Sequence, residues 1–316
     1  SLINAEMKNR KGYILAIEGL INYRFIKRLK EKKIKIKTVI DWWEGQTLDK
    51  ALHKGLSEFY PEVPTVGYLG YAPRNLELQL FPTKYEQKNG VVPHKIAVIG
   101  KGFIKGLKIF NFDQKVECAP AFRFNHLWEN IDSIYEDNFT VLVALPITFN
   151  DSINIIEKMI YCVNQTSKNG IKYWIKPHPS MSSIKLKNEF GNKWPKSFNF
   201  IDMDTQSALR RINLVISGMS SLCLEAMALG IPTLVVDQEV GIQYNPIPDN
   251  LNQDLWRRCK SIQDIIEGFE KYRLRDEKEI KRHQKLGLSI REEYFEPINK
   301  DGVLKLLSIK GTSNFE

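Results

Sequence analysis

The chain has 316 residues, 43% of them apolar and 26% charged, a soluble globular composition that excludes disordered and fibrous classes. Its formal net charge of +9 favours anionic partners such as nucleotides, phosphorylated lipids and acidic sugars. The longest apolar runs, such as that from Val141 to Leu145, are far shorter than a membrane span, and no charged-then-apolar leader follows Ser1-Leu2.

In chain order, the first part reads as strands at 13–17, 38–42, 65–68 and 95–99, with helices around 20–32 and 47–59 between them. The segment RFIKRLKEKKIKIK, from Arg24 to Lys37, concentrates much of the positive charge. It reads as a solvated helix face or as a segment drawn to an anionic membrane surface, the latter requiring exposed apolar anchors. Aromatic residues do not interleave with the basic ones as in an RNA-stacking platform, so nucleic acid is not an expected partner. The pattern breaks between Cys118 and Asn130, and a domain junction is expected near 125–138. The second part runs strand (139–143), helix (153–165), strand (171–175), loop, strand (198–201) and short helix (206–212). A strand (214–216), a helix (222–229) and a strand (233–236) follow, then a charged, largely helical stretch from 261 to 307. Alternation of this kind predicts a parallel α/β fold. The expected domains are 1–130, 131–260 and a helical region 261–316. Cys118, Cys162, Cys223 and Cys259 lie far apart without CxxC spacing, as small buried hydrophobes of a reducing, cytoplasmic compartment would.

Two segments carry the chemistry. Lys176-Pro177-His178-Pro179 and Ser217-Gly218-Met219-Ser220-Ser221 each follow a β-branched run that reads as a buried parallel strand. Open parallel sheets bind ligands at the carboxyl ends of their strands, so a lysine, a histidine and two hydroxyls would meet at one crevice suited to phosphate. Gly218 permits a tight turn, and Pro177 and Pro179 restrict the loop that holds His178. Ser220 and Ser221 serve equally well as N-caps of the following helix.

The pairs His178-Pro179 and Ser220-Ser221 resemble the HP and SS motifs of bacterial sialyltransferases and of transferases that use CMP-activated ulosonic acids such as Kdo. The likeness covers residues 139–240, with a weaker echo in REEYFEP. It implies a GT-B-like fold, two doubly wound Rossmann-like domains facing a cleft, the first one short. It further implies that His178, Ser220 and Ser221 contact the CMP phosphate, that Glu225 binds the ribose or base, and that Thr148 and Asn150 approach the donor. Asp151 or Ser152 would cap the helix there. The family's acidic general base is matched incompletely by Trp43-Glu44-Gly45 and by Ile17-Glu18-Gly19, each expected at a strand end. Glu44 is preferred, because Trp42 and Trp43 would desolvate it, with Asp41 as a substitute.

Other signals point elsewhere. Gly100-Lys101-Gly102 with Gly106 has the wrong spacing for a dinucleotide fingerprint and reads as a glycine-bearing turn. Asp202-Met203-Asp204 spells DxD but precedes a short helix that Asp204 and Thr205 would cap. No HExxH, GxSxG or P-loop occurs. No metal or cofactor is expected beyond the donor. The expected activity is metal-independent transfer of an ulosonic acid from a CMP-sugar to a surface glycan or glycolipid. The setting would be cytoplasmic, with peripheral attachment to the inner face of the cell membrane. The alternatives are a CDP-glycerol-type polyol-phosphate transferase and a non-catalytic nucleotide- or glycan-binding module.

Overall fold

The computed structural model describes residues 10–129, 138–165, 170–239 and 245–307. The chain divides into two compact units, residues 1–125 with 292–316, and residues 126–291. The stretch 261–316, read from the sequence as a region of its own, is split between the two at residue 292.

The first unit holds helices α1 (Arg10–Glu31), α2 (Thr47–Phe59), α3 (Lys84–Lys88) and α4 (Ile104–Leu107). Its strands β1 (Val39–Trp42), β2 (Thr65–Leu69), β3 (Lys95–Val98) and β4 (Lys115–Cys118) form a parallel sheet in sequential order. Every residue of β2 is buried, as in a strand covered on both faces. A reciprocal capping box between Gln46 and Asp49 starts α2. The run 13–17 is not a strand. It opens the 22-residue α1, which continues without a turn signal into a face that packs on α2. Gly19 allows that approach, since a Cβ there would stand 3.2 Å from Ala51 and Thr47 side-chain carbons. Ile26, Leu56, Tyr60 and Val63 are buried together along the contact. Glu18 therefore lies on a helix, exposed, and not at a strand end.

The second unit contains β5 (Phe139–Ala144), α5 (Phe149–Gln165), β6 (Ile171–Lys176), α6 (Ser183–Phe190) and β7 (Phe198–Phe200). It continues with α7 (Thr205–Leu209), β8 (Leu214–Ser217), α8 (Leu222–Ala228), β9 (Thr233–Val236), β10 (Trp256–Cys259) and α9 (Ile262–Arg273). Helix α10 (Glu277–Tyr294) begins in this unit and ends in the first, to which α11 (Lys300–Leu306) belongs. The sheet is parallel throughout, in the order β10-β9-β8-β5-β6-β7. One face packs on α5, α6 and α9 through Val143, Ile175, Ile216, Ile156, Leu186 and Phe269. The other packs on α7 and α8 through Leu142, Trp174, Val215, Leu209 and Ala226. Full burial of each such side chain is worth about 1.5–3 kcal/mol, so both faces contribute substantially to holding the strand ends in register. At Gly230 (φ 75°), beside α10, a Cβ would come within 2.7 Å of the Gln284 backbone. Cys162, Cys223 and Cys259 are buried and Cys118 is half-buried, and none of the four is in a disulfide.

Candidate functional site

The strand order of the second unit reverses between β5 and β8, where the chain turns from building one half of the sheet to the other. A crevice outside the carboxyl ends of the strands is expected at such a switch point. Its two strands are tied at their ends: Ser217 Oγ, fully buried, donates to the Ala144 carbonyl at 2.7 Å. The loops after β5, β6 and β8 carry the residues singled out from the sequence. Because β6 and β8 both pair with β5, His178 and Ser220-Ser221 stand at the ends of strands flanking one central strand.

His178 sits at the start of a turn closed by the Met181 N–H donating to its carbonyl at 2.8 Å, with Pro179 second in the turn, where its fixed φ is suited. The Ser180 backbone N–H donates to His178 Nδ1 at 3.2 Å, and Ser180 Oγ lies 2.7 Å from the same nitrogen. An amide can only donate, so Nδ1 is the acceptor and the neutral ring carries its proton on Nε2. The half-buried imidazole thus presents an N–H donor beyond the strand end. Lys176, at the end of β6, is engaged differently: its ammonium donates to the Met203 carbonyl at 2.7 Å. Ser220 Oγ accepts from the Leu222 N–H at 3.3 Å at the start of α8, while Ser221, the N-cap residue, makes no side-chain capping bond. The two serines therefore divide between structural and free roles. Gly218 is buried, and a Cβ there would stand 3.3 Å from Ile155, so its small size serves the fit against α5.

Helix α5 begins at Phe149, ahead of the expected caps. Ser152 Oγ donates to the Pro146 carbonyl at 3.1 Å, and Asp151 lies within the first turn. Thr148 is exposed just before the helix, and Asn150 is on its first turn, exposed, rather than in a loop. Glu225 on α8 is only 8% exposed, with the buried His126 imidazole 3.5 Å away. That histidine was not singled out from the sequence. Nor was Lys158, a buried lysine of α5 that donates to the Asp237 carbonyl at 3.1 Å beyond β9. Arg258 holds the Asp237 carboxylate at 2.7 and 3.0 Å.

In the first unit, Glu44 follows β1. The Trp42 indole N–H donates to one carboxylate oxygen at 2.8 Å, and the Gln46 amide donates to the other at 2.6 Å. Desolvation by two indoles, as the sequence suggested, is not the arrangement. Trp43 is fully buried and edges onto His53, whereas Trp42 is 48% exposed and acts as a hydrogen-bond donor. Gly45 is demanded by the turn, with φ of 65° and a would-be Cβ 1.9 Å from the Gln79 carbonyl oxygen. Asp49 receives the Glu44 and Gln46 backbone N–H groups at 3.0 Å each. Burial pushes its carboxyl above the ordinary range, outweighing those bonds, and the neighbouring Asp41 and Glu44 add to the shift. Asp41 faces inward to the buried His53, whose Nε2 is 3.2 Å from both carboxylate oxygens. Tyr71 stacks on Trp42 with ring centres 6.3 Å apart, its phenol shifted upward by burial and by Glu77 and Glu44.

Asp204 of the DxD sequence caps α7, accepting from the Ser207 N–H at 2.8 Å and from its hydroxyl at 2.6 Å. The Ser207 hydroxyl bond, followed by the backbone one, holds the carboxyl below its usual range. Among the described residues no group of three or more His, Cys, Asp or Glu side chains is placed to hold a metal ion. Gly100 and Gly102 lie against Tyr294, where a Cβ would come within 2.3 and 2.4 Å of it, so these glycines serve packing.

No family model and no curated protein matches the sequence. Solved structures do. The chain is similar to the S. aureus MnaA–UDP co-structure, at 13% identity and TM-score 0.61, over 95% of this chain and 85% of that one. It is also similar to UDP-GlcNAc 2-epimerase from Neisseria meningitidis bound to UDP-GlcNAc, at 14% identity, TM-score 0.59, 91% and 81% coverage. A third is alpha,alpha-trehalose 6-phosphate synthase from Burkholderia multivorans, at 10% identity, TM-score 0.56, 95% and 76% coverage. These likenesses establish the GT-B fold, with two parallel-sheet Rossmann-like domains. They do not extend to the CMP-ulosonic acid class, since the nucleotides named with the first two are uridine nucleotides.

Proposed function

We propose that this protein is a nucleotide-sugar-dependent glycosyltransferase whose donor phosphate is held over the β5–β8 switch point. The observation that supports the reading is the sheet order, in which β6 and β8, the strands whose following loops carry His178 and the Ser220-Ser221 pair, flank β5. In this reading His178 donates from Nε2 to the leaving phosphate, the Ser221 hydroxyl adds a second donor, and Ser220 sets the turn. Such fixed donors stabilise charge as it develops on the leaving group, at no reorganisation cost in the step itself. Lys176 acts at longer range, Glu225 takes the ribose or base with His126 as its neighbour, and Thr148 and Asn150 line the donor. On the acceptor side Glu44, held by Trp42 and Gln46, takes the acceptor hydroxyl proton. No metal is needed in this scheme. The acceptor is a surface glycan or glycolipid.

For the donor, the KPHP and SGMSS motifs favour a CMP-activated ulosonic acid. The UDP and UDP-GlcNAc complexes of the structural relatives support a second reading, a UDP-sugar. A thermal-shift series with CMP, CDP, UDP and GDP separates them. A nucleotide at 100 times its dissociation constant stabilises the native state by about 2.7 kcal/mol. Larger stabilisation by CMP or CDP is the expected result, and preference for UDP replaces the donor assignment. Stabilisation by none of the four sinks the donor-site reading itself.

A further inference from the structure

Helix α1 is amphipathic in an unusual sense. Its inner face, with Gly19, Tyr23 and Ile26, packs on α2, where Tyr23 and Phe59 rings meet at 5.4 Å. The opposite face is also apolar. Ile14, Ile17, Leu20, Ile21 and Phe25 recur there at helical spacing and are 57%, 58%, 62%, 60% and 55% exposed. Isolated exposed apolar side chains are ordinary, but five bulky ones in one stripe mark a surface meant to be covered. The same stripe continues into Arg24, Arg28 and Lys32, all exposed, and the chain that follows adds exposed Lys33, Lys35 and Lys37 around Ile34. From Arg24 to Lys37 there are eight basic residues against the single acid Glu31.

We propose that this outer face of α1 seats the protein on an anionic lipid surface. An interfacial helix buries its apolar stripe at the headgroup boundary while adjacent lysines and arginines face acidic lipid. The side chains here provide both, in the right order along one helix: anchors first, cations after. No described helix is long and apolar enough to cross a membrane, so the contact is with the surface. A second copy of this chain is the poorer occupant. The stripe carries only Glu18 at its margin to meet the cations, so self-association would bury charges without partners. The inference stands on α1 alone and is independent of the donor reading.

The test is co-sedimentation with vesicles of phosphatidylcholine alone and of phosphatidylcholine mixed equally with phosphatidylglycerol, without nucleotide. The parent protein should sediment with the mixed vesicles, remain free of the neutral ones, and be released by salt. Ile17→Asp/Ile21→Asp should abolish binding with an unchanged melting temperature, because both side chains are exposed. Arg24→Glu/Arg28→Glu should weaken it by about 30-fold or more. Failure of the parent to bind mixed vesicles overturns the proposal, as does undiminished binding by both variants. A vesicle-indifferent dimer that Ile17→Asp/Ile21→Asp dissociates would assign the face to self-association instead.

Discussion

The carboxyl ends of the two sheets present opposite chemistry on the same kind of scaffold. After β1 and β2 the chain gathers carboxylates, Glu44 and Asp49 with Asp41 behind them, beside an exposed indole stacked on Tyr71. After β6 and β8 it gathers an imidazole whose Nδ1 accepts from the Ser180 N–H, and two serines. A parallel sheet gives each end a place for a ligand, and the loop residues alone decide its sign. The acidic, aromatic end suits hydroxyl-bearing neutral groups that need a proton acceptor. The hydroxyl-and-imidazole end suits an anion that needs donors. The two ends also differ in how their acids and bases are held. Glu44 has its two oxygens tied by Trp42, at the end of β1, and by Gln46, whereas His178 is oriented by one residue two positions on.

The sharpest way to break this comparison is at Glu44. If it removes the acceptor proton, Glu44→Gln should lower the transfer rate by about 10²–10⁴-fold while leaving nucleotide affinity unchanged. Glu18→Gln, on the exposed face of α1, should alter neither rate nor stability by more than about 0.5 kcal/mol. Asp41→Asn should act on the melting temperature of the first unit, because its carboxylate faces His53. Loss of transfer in Asp49→Asn with full activity in Glu44→Gln would shift the base to Asp49.

At the other end, His178→Ala should weaken nucleotide binding by about 10–150-fold, the loss of one charge-assisted hydrogen bond, and leave the fold intact. Ser221→Ala should weaken binding without affecting stability. Ser220→Ala should cost about 0.5–1.5 kcal/mol of stability, the loss of one hydrogen bond at the start of α8. Calorimetry and thermal melts read the two effects separately. If Ser221→Ala leaves affinity untouched while Ser220→Ala removes it, the roles assigned to the two hydroxyls are exchanged.

Much of this was legible in the sequence. The runs that became β5, β6, β8 and β9 are β-branched and buried, and α2 runs over 47–59 as its pattern predicts. Strands β4 and β10 were missed because their sequences, KVEC and WRRC, carry charges at the edges of their sheets. Helix α6 is short, buries only Leu186 and Phe190, and reads as loop. The run 13–17 looked like a strand because a five-residue apolar stretch has no period of its own. At the candidate site, loop positions followed from strand ends, but partners brought from afar did not. His126 beside Glu225, and Lys158 beside Asp237, are contacts across 99 and 79 residues. His53 left a trace: a polar residue between Leu52 and Leu56 on the inner stripe of α2, and such positions usually have a buried partner.

The last expected effect concerns how acid acts on each unit. His283 in α10 is almost fully buried, and Arg275 donates to its Nδ1 at 3.1 Å. Burial, then Arg275 and Arg282, push its pKa down to about 4 from 6.5, against weaker opposing effects of Glu279 and Asp254. Between those values the unfolded chain binds a proton that the folded chain does not. Stability from this group is therefore fully present above about pH 6.5 and is lost as the pH falls toward 4, with a slope of at most about 1.4 kcal/mol per pH unit. The buried histidine of the first unit, His53, has a carboxylate as its neighbour instead of guanidinium groups. Hydrogen exchange at pH 7 and pH 5 should show protection lost first around α10 and β9 in the second unit. His283→Gln should flatten that pH dependence while leaving the first unit unchanged. Equal loss of protection in both units, or an unaltered pH profile in His283→Gln, would remove His283 as the source of the difference.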